Sequence, residues 1–275
     1  MNQLGPSYLL PEILIGTVAV VAVALLGLHS ALSRAGLPHR DRRRAFWSGS
    51  ALLVAWFFAA LVLSWSGFYQ GVASRVPTLP FGLLIPIAAG VVLFRRWPLL
   101  RRVIEAAPQS WIVGIQAYRV EGLIFLILYA RGWLPGAFAL PAGVGDAIVG
   151  LLALVVGIAY RGGLRGPSGW LLAWNLLGIA DLVVAVTTGF LTSPSPLQLL
   201  ALDRPNELIS SWPLAMVPVF LVPLSVLLHL ASLEKLRQIE RDRRDLKPRA
   251  GLNVFAAVSP GNKRPSAPPA TAIRQ

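Results

Sequence analysis

Seven apolar runs, each able to cross or nearly cross roughly 30 Å of hydrocarbon at about 1.5 Å per helical residue, leave this chain few ways to fold. They occupy residues 12–33, 46–67, 78–94, 110–130, 138–160, 168–190 and 211–232. Inside lipid every backbone N–H and C=O must be satisfied by the segment itself, so the runs predict helices. The expected fold is all-α: a seven-span polytopic membrane domain over 1–232, followed by a basic tail over 233–275 that starts as a charged helix and ends disordered. The third run is short and holds Pro80 and Pro86, which a spanning helix tolerates when neighbours satisfy the freed carbonyls. Charged residues make up 13% of the chain and mean hydropathy is +0.65, which excludes a water-soluble enzyme.

Charge placement predicts the orientation. With the N-terminus outside, 21 of the 25 Lys and Arg residues fall on the inner side, only Arg75, Arg131 and Arg204 fall outside, and Arg119 lies within a span. That asymmetry follows the positive-inside rule and puts the C-terminus in the cytoplasm. The net charge of +13 then needs anionic lipid on the cytoplasmic face and no nucleic acid. Trp47, Trp65, Trp97, Trp111, Trp133, Trp170 and Trp212 all fall at expected span ends, where an amphipathic ring prefers to sit. No cation precedes the first run, so that run is read as a retained span rather than a secretory signal. Abundant Ala, Gly and Arg with only three lysines suggests a GC-rich bacterial genome and hence a bacterial cytoplasmic membrane. The outer loop 191–210 carries LQLLAL between prolines, as a segment lying flat at the interface would.

Ionisable groups inside a span are costly, and they are expected to face the bundle interior with a partner. Arg119 and Glu121 in the fourth run, Asp146 in the fifth and Asp181 in the sixth are such groups. Counted from the inner end, Arg119 lies roughly 14 Å deep, Glu121 roughly 17 Å and Asp181 roughly 20 Å, while Asp146 lies roughly 12 Å below the outer face. One layer can hold all four. Gln116 shares a face with Arg119, and Asn175 with Asp181, whereas Glu121 points away from Arg119. The expected site is a midplane polar cluster of Gln116, Arg119, Glu121, Asp146, Asn175 and Asp181 that binds or moves a small solute or ion. The bland alternative is that the same ion pairs only fix helix packing.

GVGDAIVG at 143–150 and GIADLVVA at 178–185 match at four of eight positions, with small residues one and three before each aspartate, so that each aspartate is expected at a close helix approach. GVGD also resembles the GxGD motif of the intramembrane aspartyl proteases. That resemblance implies a hydrolytic dyad of Asp146 with Asp181, although the chain has neither the Tyr-Asp nor the Pro-Ala-Leu motif of that family. His29 and His229, near the inner ends of the first and seventh runs, are placed to meet as two axial haem ligands would, but nothing else marks a haem pocket. The topology is that of microbial rhodopsins, yet the seventh run has no lysine for a retinal Schiff base. With no cysteine, no phosphate loop, no HExxH helix and no dinucleotide fingerprint, neither a cofactor nor a metal is expected.

Overall fold

A computed structural model describes residues 5–70, 77–161 and 168–257, with side chains as far as Arg241. The expected disorder of the tail's end, and the placement of Arg75 and Arg165, lie outside the described residues. The chain divides into two compact units, residues 1–236 and 237–275. Among the described residues the structure is all-helical, in the order α1 Leu9–Arg34, α2 His39–Trp65, α3 Leu79–Arg96, α4 Pro98–Ala106, α5 Gln109–Gly114, α6 Leu123–Ala130, α7 Gly136–Ala159, α8 Ser168–Thr192 and α9 Val222–Ala257. Seven helical spans are long and apolar enough to cross a membrane, and their fourth member, Gln109–Ala130, combines α5, a 3-10 stretch Ile115–Gly122 and α6.

Five spans start and stop within three residues of the apolar runs. The second starts at His39 rather than 46, because the arginine-rich stretch after Pro38 continues the helix beyond its apolar part. The seventh shifts further, to Val217–Arg241, and opens on a π-helical turn, Val217–Leu221. Residues 213–215, counted into the seventh run from sequence, are buried but form a turn before it. The shift puts His229 half-way along the span instead of near its end.

The outward faces are apolar, as lipid contact requires: Ile15, Phe58, Leu84, Val155 and Ile158 are all exposed. Inside, α7 is the central element, packed on the 3-10 stretch, α8, α6 and α5. Missing side chains make these contacts close. A Cβ at Gly150 would stand 2.6 Å from the Val120 backbone nitrogen, and one at Gly145 would overlap the Asp181 carboxylate. The small residues before the aspartates thus clear space at helix crossings. In the 3-10 stretch the buried residues are Gln116, Arg119 and Gly122, a spacing of three that matches its three residues per turn and aims one row at α7.

At the arginine-rich end, α4 is a short helix whose Val103 is buried and whose Arg101 pairs with Glu105. Lys235 donates to the Glu105 carbonyl at 2.6 Å, satisfying an end-of-helix acceptor. At the other end, loop 193–207 folds back on α8: the Asn206 amide donates to the Thr192 carbonyl at 2.8 Å, and its side chain accepts from the Ile209 N–H at 3.3 Å. Leu197, Leu199 and Leu202 of that loop stay outward and exposed.

Replacing Gly150 with valine drives a side chain into the 3-10 backbone, and a loss of at least about 3 kcal/mol is expected. Gly169→Ala, where an added Cβ meets nothing within 4 Å, leaves the fold intact. Thermal unfolding of the two detergent-solubilised variants measures the difference.

Candidate functional site

The site is built on Arg119, whose side chain is only 2% exposed. A guanidinium carries five N–H donors in a rigid fork, and burial demands an acceptor for each. Nε donates to Asp146 Oδ1 at 2.7 Å, and Nη2 reaches the same oxygen at 2.7 Å and also donates to Asp181 Oδ2. Nη1 lies 3.4 Å from the Gly178 carbonyl and 3.3 Å from His229 Nε2. One cation therefore faces two carboxylates, supplied by α7 and α8, with the imidazole of α9 on its remaining side.

The hydrogen bonds continue from His229. Its Nδ1 lies 3.0 Å from Asn175 Oδ1, while Asn175 Nδ2 donates to the Leu171 carbonyl at 2.8 Å and to Ser232 Oγ at 2.9 Å. Gln109 Nε2 donates to the same Ser232 oxygen at 2.6 Å. Because the Asn175 oxygen is the acceptor, Nδ1 of His229 carries the proton, which leaves Nε2 to accept from Arg119. The ring also packs on Trp174, centroids 4.8 Å apart, and a Cβ at Gly178 would overlap it. A buried polar ladder thus runs from both aspartates through Arg119, His229, Asn175 and Ser232 to Gln109.

Two non-α segments meet beside it. The Tyr118 hydroxyl, in the 3-10 stretch, donates to the Leu221 carbonyl of the π turn at 2.8 Å and lies 2.6 Å from Ser225 Oγ. Long 3-10 runs and π turns are both uncommon inside spanning helices and frequent at functional positions.

Two cavities reach Asp146. One, of about 50 Å³, is lined by apolar side chains including Phe125, Phe138 and Leu182; the other, of about 40 Å³, touches Tyr118, Arg119, Glu121 and Ser225. Each has room for a few waters.

Of the residues singled out by sequence, Arg119, Asp146 and Asp181 come together, and Asn175 joins them through His229. Glu121 turns away toward α1, where a Cβ at Gly16 would overlap its carboxylate, yet it lines the same cavity as Arg119 and Asp146. Gln116 is fully buried, and its amide makes no hydrogen bond among the described residues. His229, Ser232, Gln109 and Tyr118 were not anticipated as members of the cluster. The expected meeting of His29 with His229 does not occur: His29 is exposed against Phe46, and both ring nitrogens of His229 are engaged. Among the described residues no three His, Asp or Glu side chains are arranged to hold a metal ion.

Arg119→Met leaves two buried carboxylates without their counter-charge and should cost about 3–5 kcal/mol, and adding Asp146→Asn and Asp181→Asn should return much of it. Gln116→Leu removes an amide that makes no hydrogen bond among the described residues and should not lower stability. Denaturation midpoints of the four proteins check both outcomes.

No curated protein and no solved structure matches the chain. One family model, described as "Domain of unknown function (DUF8737)", matches residues 76–237 and so takes in the fourth to sixth spans, His229 and Ser232. That match covers more than half of the sequence, and the protein belongs to the DUF8737 family.

Proposed function

We propose that this protein lies in a bacterial cytoplasmic membrane, N-terminus outside, and binds a proton or small monovalent cation at Arg119, Asp146 and Asp181, exchanging it as part of ion or solute movement. The observation that carries this reading is the convergence of two buried carboxylates on one guanidinium, with small cavities reaching Asp146. Among the three directly bonded groups, with Glu121 turned away toward α1, two carboxylates against one cation leave a single excess negative charge, which is expensive in a low-dielectric interior. One proton or one monovalent ion neutralises it. Cavities of about 50 and 40 Å³ favour an occupant of that size over an organic solute in this conformation.

Exchange of the proton would alter what holds α8 against α7. Ionised, Asp181 grips Arg119 through a charge-assisted hydrogen bond; protonated, it keeps a weaker contact and Asp146 supplies the counter-charge. A differential hold of this kind shifts a conformational equilibrium. The second reading, that the cluster only fixes helix packing, is favoured by the complete use of all five Arg119 donors. A hydrolytic dyad has less support, because the guanidinium binds both carboxylates where a dyad would hold water between them.

Infrared difference spectra of the reconstituted protein across a pH jump should show a protonated-carboxyl band that is lost in Asp181→Asn or Asp146→Asn. Proton or monovalent-cation flux in proteoliposomes should fall at least tenfold in Asp181→Asn while the fold survives. Wild-type flux in both asparagine variants would leave only the packing role. Because the chain has no cysteine, single cysteines at positions 204 and 34 report sidedness, with an impermeant thiol reagent applied to intact cells labelling only the first.

A further inference from the structure

A separate groove lies at the arginine-rich end of unit 1 and shares no lining residue with the two cavities that reach Asp146. It has a volume of about 500 Å³ and is walled by α1, α5 and α7, with Arg34, Arg161, Pro108 and Ser110 toward its rim and Val23, Ile115, Leu154 and Ile158 along its length. Trp111 lines it too and packs against α1, its ring 3.4 Å from where a Cβ at Gly27 would stand. Gly114 and Gly157 line the groove. A Cβ at Gly114 would meet nothing within 4 Å, and Gly157 lets α7 approach the Ser110 carbonyl.

The two ends of the groove differ in chemistry. Leu154, Ile158 and Val23 are exposed apolar residues of the kind that faces acyl chains, and the α1 wall from Val23 to Arg34 extends about 16 Å. Arg34 and Arg161 both line the groove, and among the described residues neither makes an ion pair. A soluble anion would use the arginines and leave the apolar wall unused. A neutral lipid would use the wall and leave the arginines without a counter-charge. We propose that this groove is a binding site for one anionic phospholipid, its phosphate held between Arg34 and Arg161 at the level of Trp111 and one acyl chain laid along Val23, Leu154 and Ile158. The bilayer supplies such a lipid laterally, and basic side chains near the surface attract it.

The test uses the full-length protein in mild detergent, titrated with phosphatidylglycerol or phosphatidylcholine and read by native mass spectrometry. Phosphatidylglycerol should bind saturably at one per chain and more tightly than phosphatidylcholine. Arg34→Gln with Arg161→Gln should weaken it roughly thirtyfold. Gly114→Leu, which fills the groove without touching a charge, should also displace it. Arg95→Gln with Arg96→Gln, which alters arginines outside the groove, should leave it unchanged. Equal binding of the two lipids, retention in Gly114→Leu, equal loss in the Arg95/Arg96 variant, or displacement by glycerol phosphate would each overturn the proposal.

Discussion

The contact between Arg119 and its two aspartates is the constraint around which the unit is arranged. A guanidinium held away from water must satisfy five donors at once, and it does so only because three other helices bring acceptors to it from different sides. Each helix contributes in a different way: α7 and α8 give carboxylates, α8 also gives a backbone carbonyl, and α9 gives an imidazole. The glycines at 145, 150 and 178 follow from the same demand, since every one of them clears room beside a member of the cluster or the backbone that carries it. Packing and electrostatics are therefore one problem here, solved by taking side chains away where charged ones must fit.

Much of this was legible in the sequence, for a definite reason. Hydrocarbon punishes an unpaired charge, so Arg119, Asp146 and Asp181 stood out against apolar runs, and counting depth along those runs brought them to one level. Spacing showed that Glu121 faces elsewhere, and it does. What depth counting could not supply was the register of the seventh span. An apolar average sees residues 211–215 as part of the run, whereas the chain turns there and its helix begins only at Met216 and the π turn, and that slip hid His229 from the cluster. Gln109 and Ser232 were hidden with it, being polar residues near span ends that read as ordinary boundary positions. Gln116 shows the converse limit, for it shares the Arg119 row yet takes no part in its hydrogen bonds.

The two ends of the unit meet their surroundings differently. At one, a loop is tied down by Asn206 and offers leucines outward; at the other, arginines and Trp111 rim an apolar groove. No side chain of the buried ladder lines the groove, although Gln109 stands between Pro108 and Ser110 of its wall, and the chemistry of the interior and that of the outer surface are carried by separate residues.

The winding of the segment that bears Arg119 has a mechanical corollary. A 3-10 coil and an α-coil differ by about 20° of rotation and 0.5 Å of rise per residue, so eight residues passing from one to the other turn their far end by roughly 160° and draw it in by about 4 Å. The phenol of Tyr118, fastened to the π turn across the interface, couples that screw motion to the neighbouring coil. Torsion within a single rod, as distinct from tilting of rods against each other, would by itself swing the guanidinium.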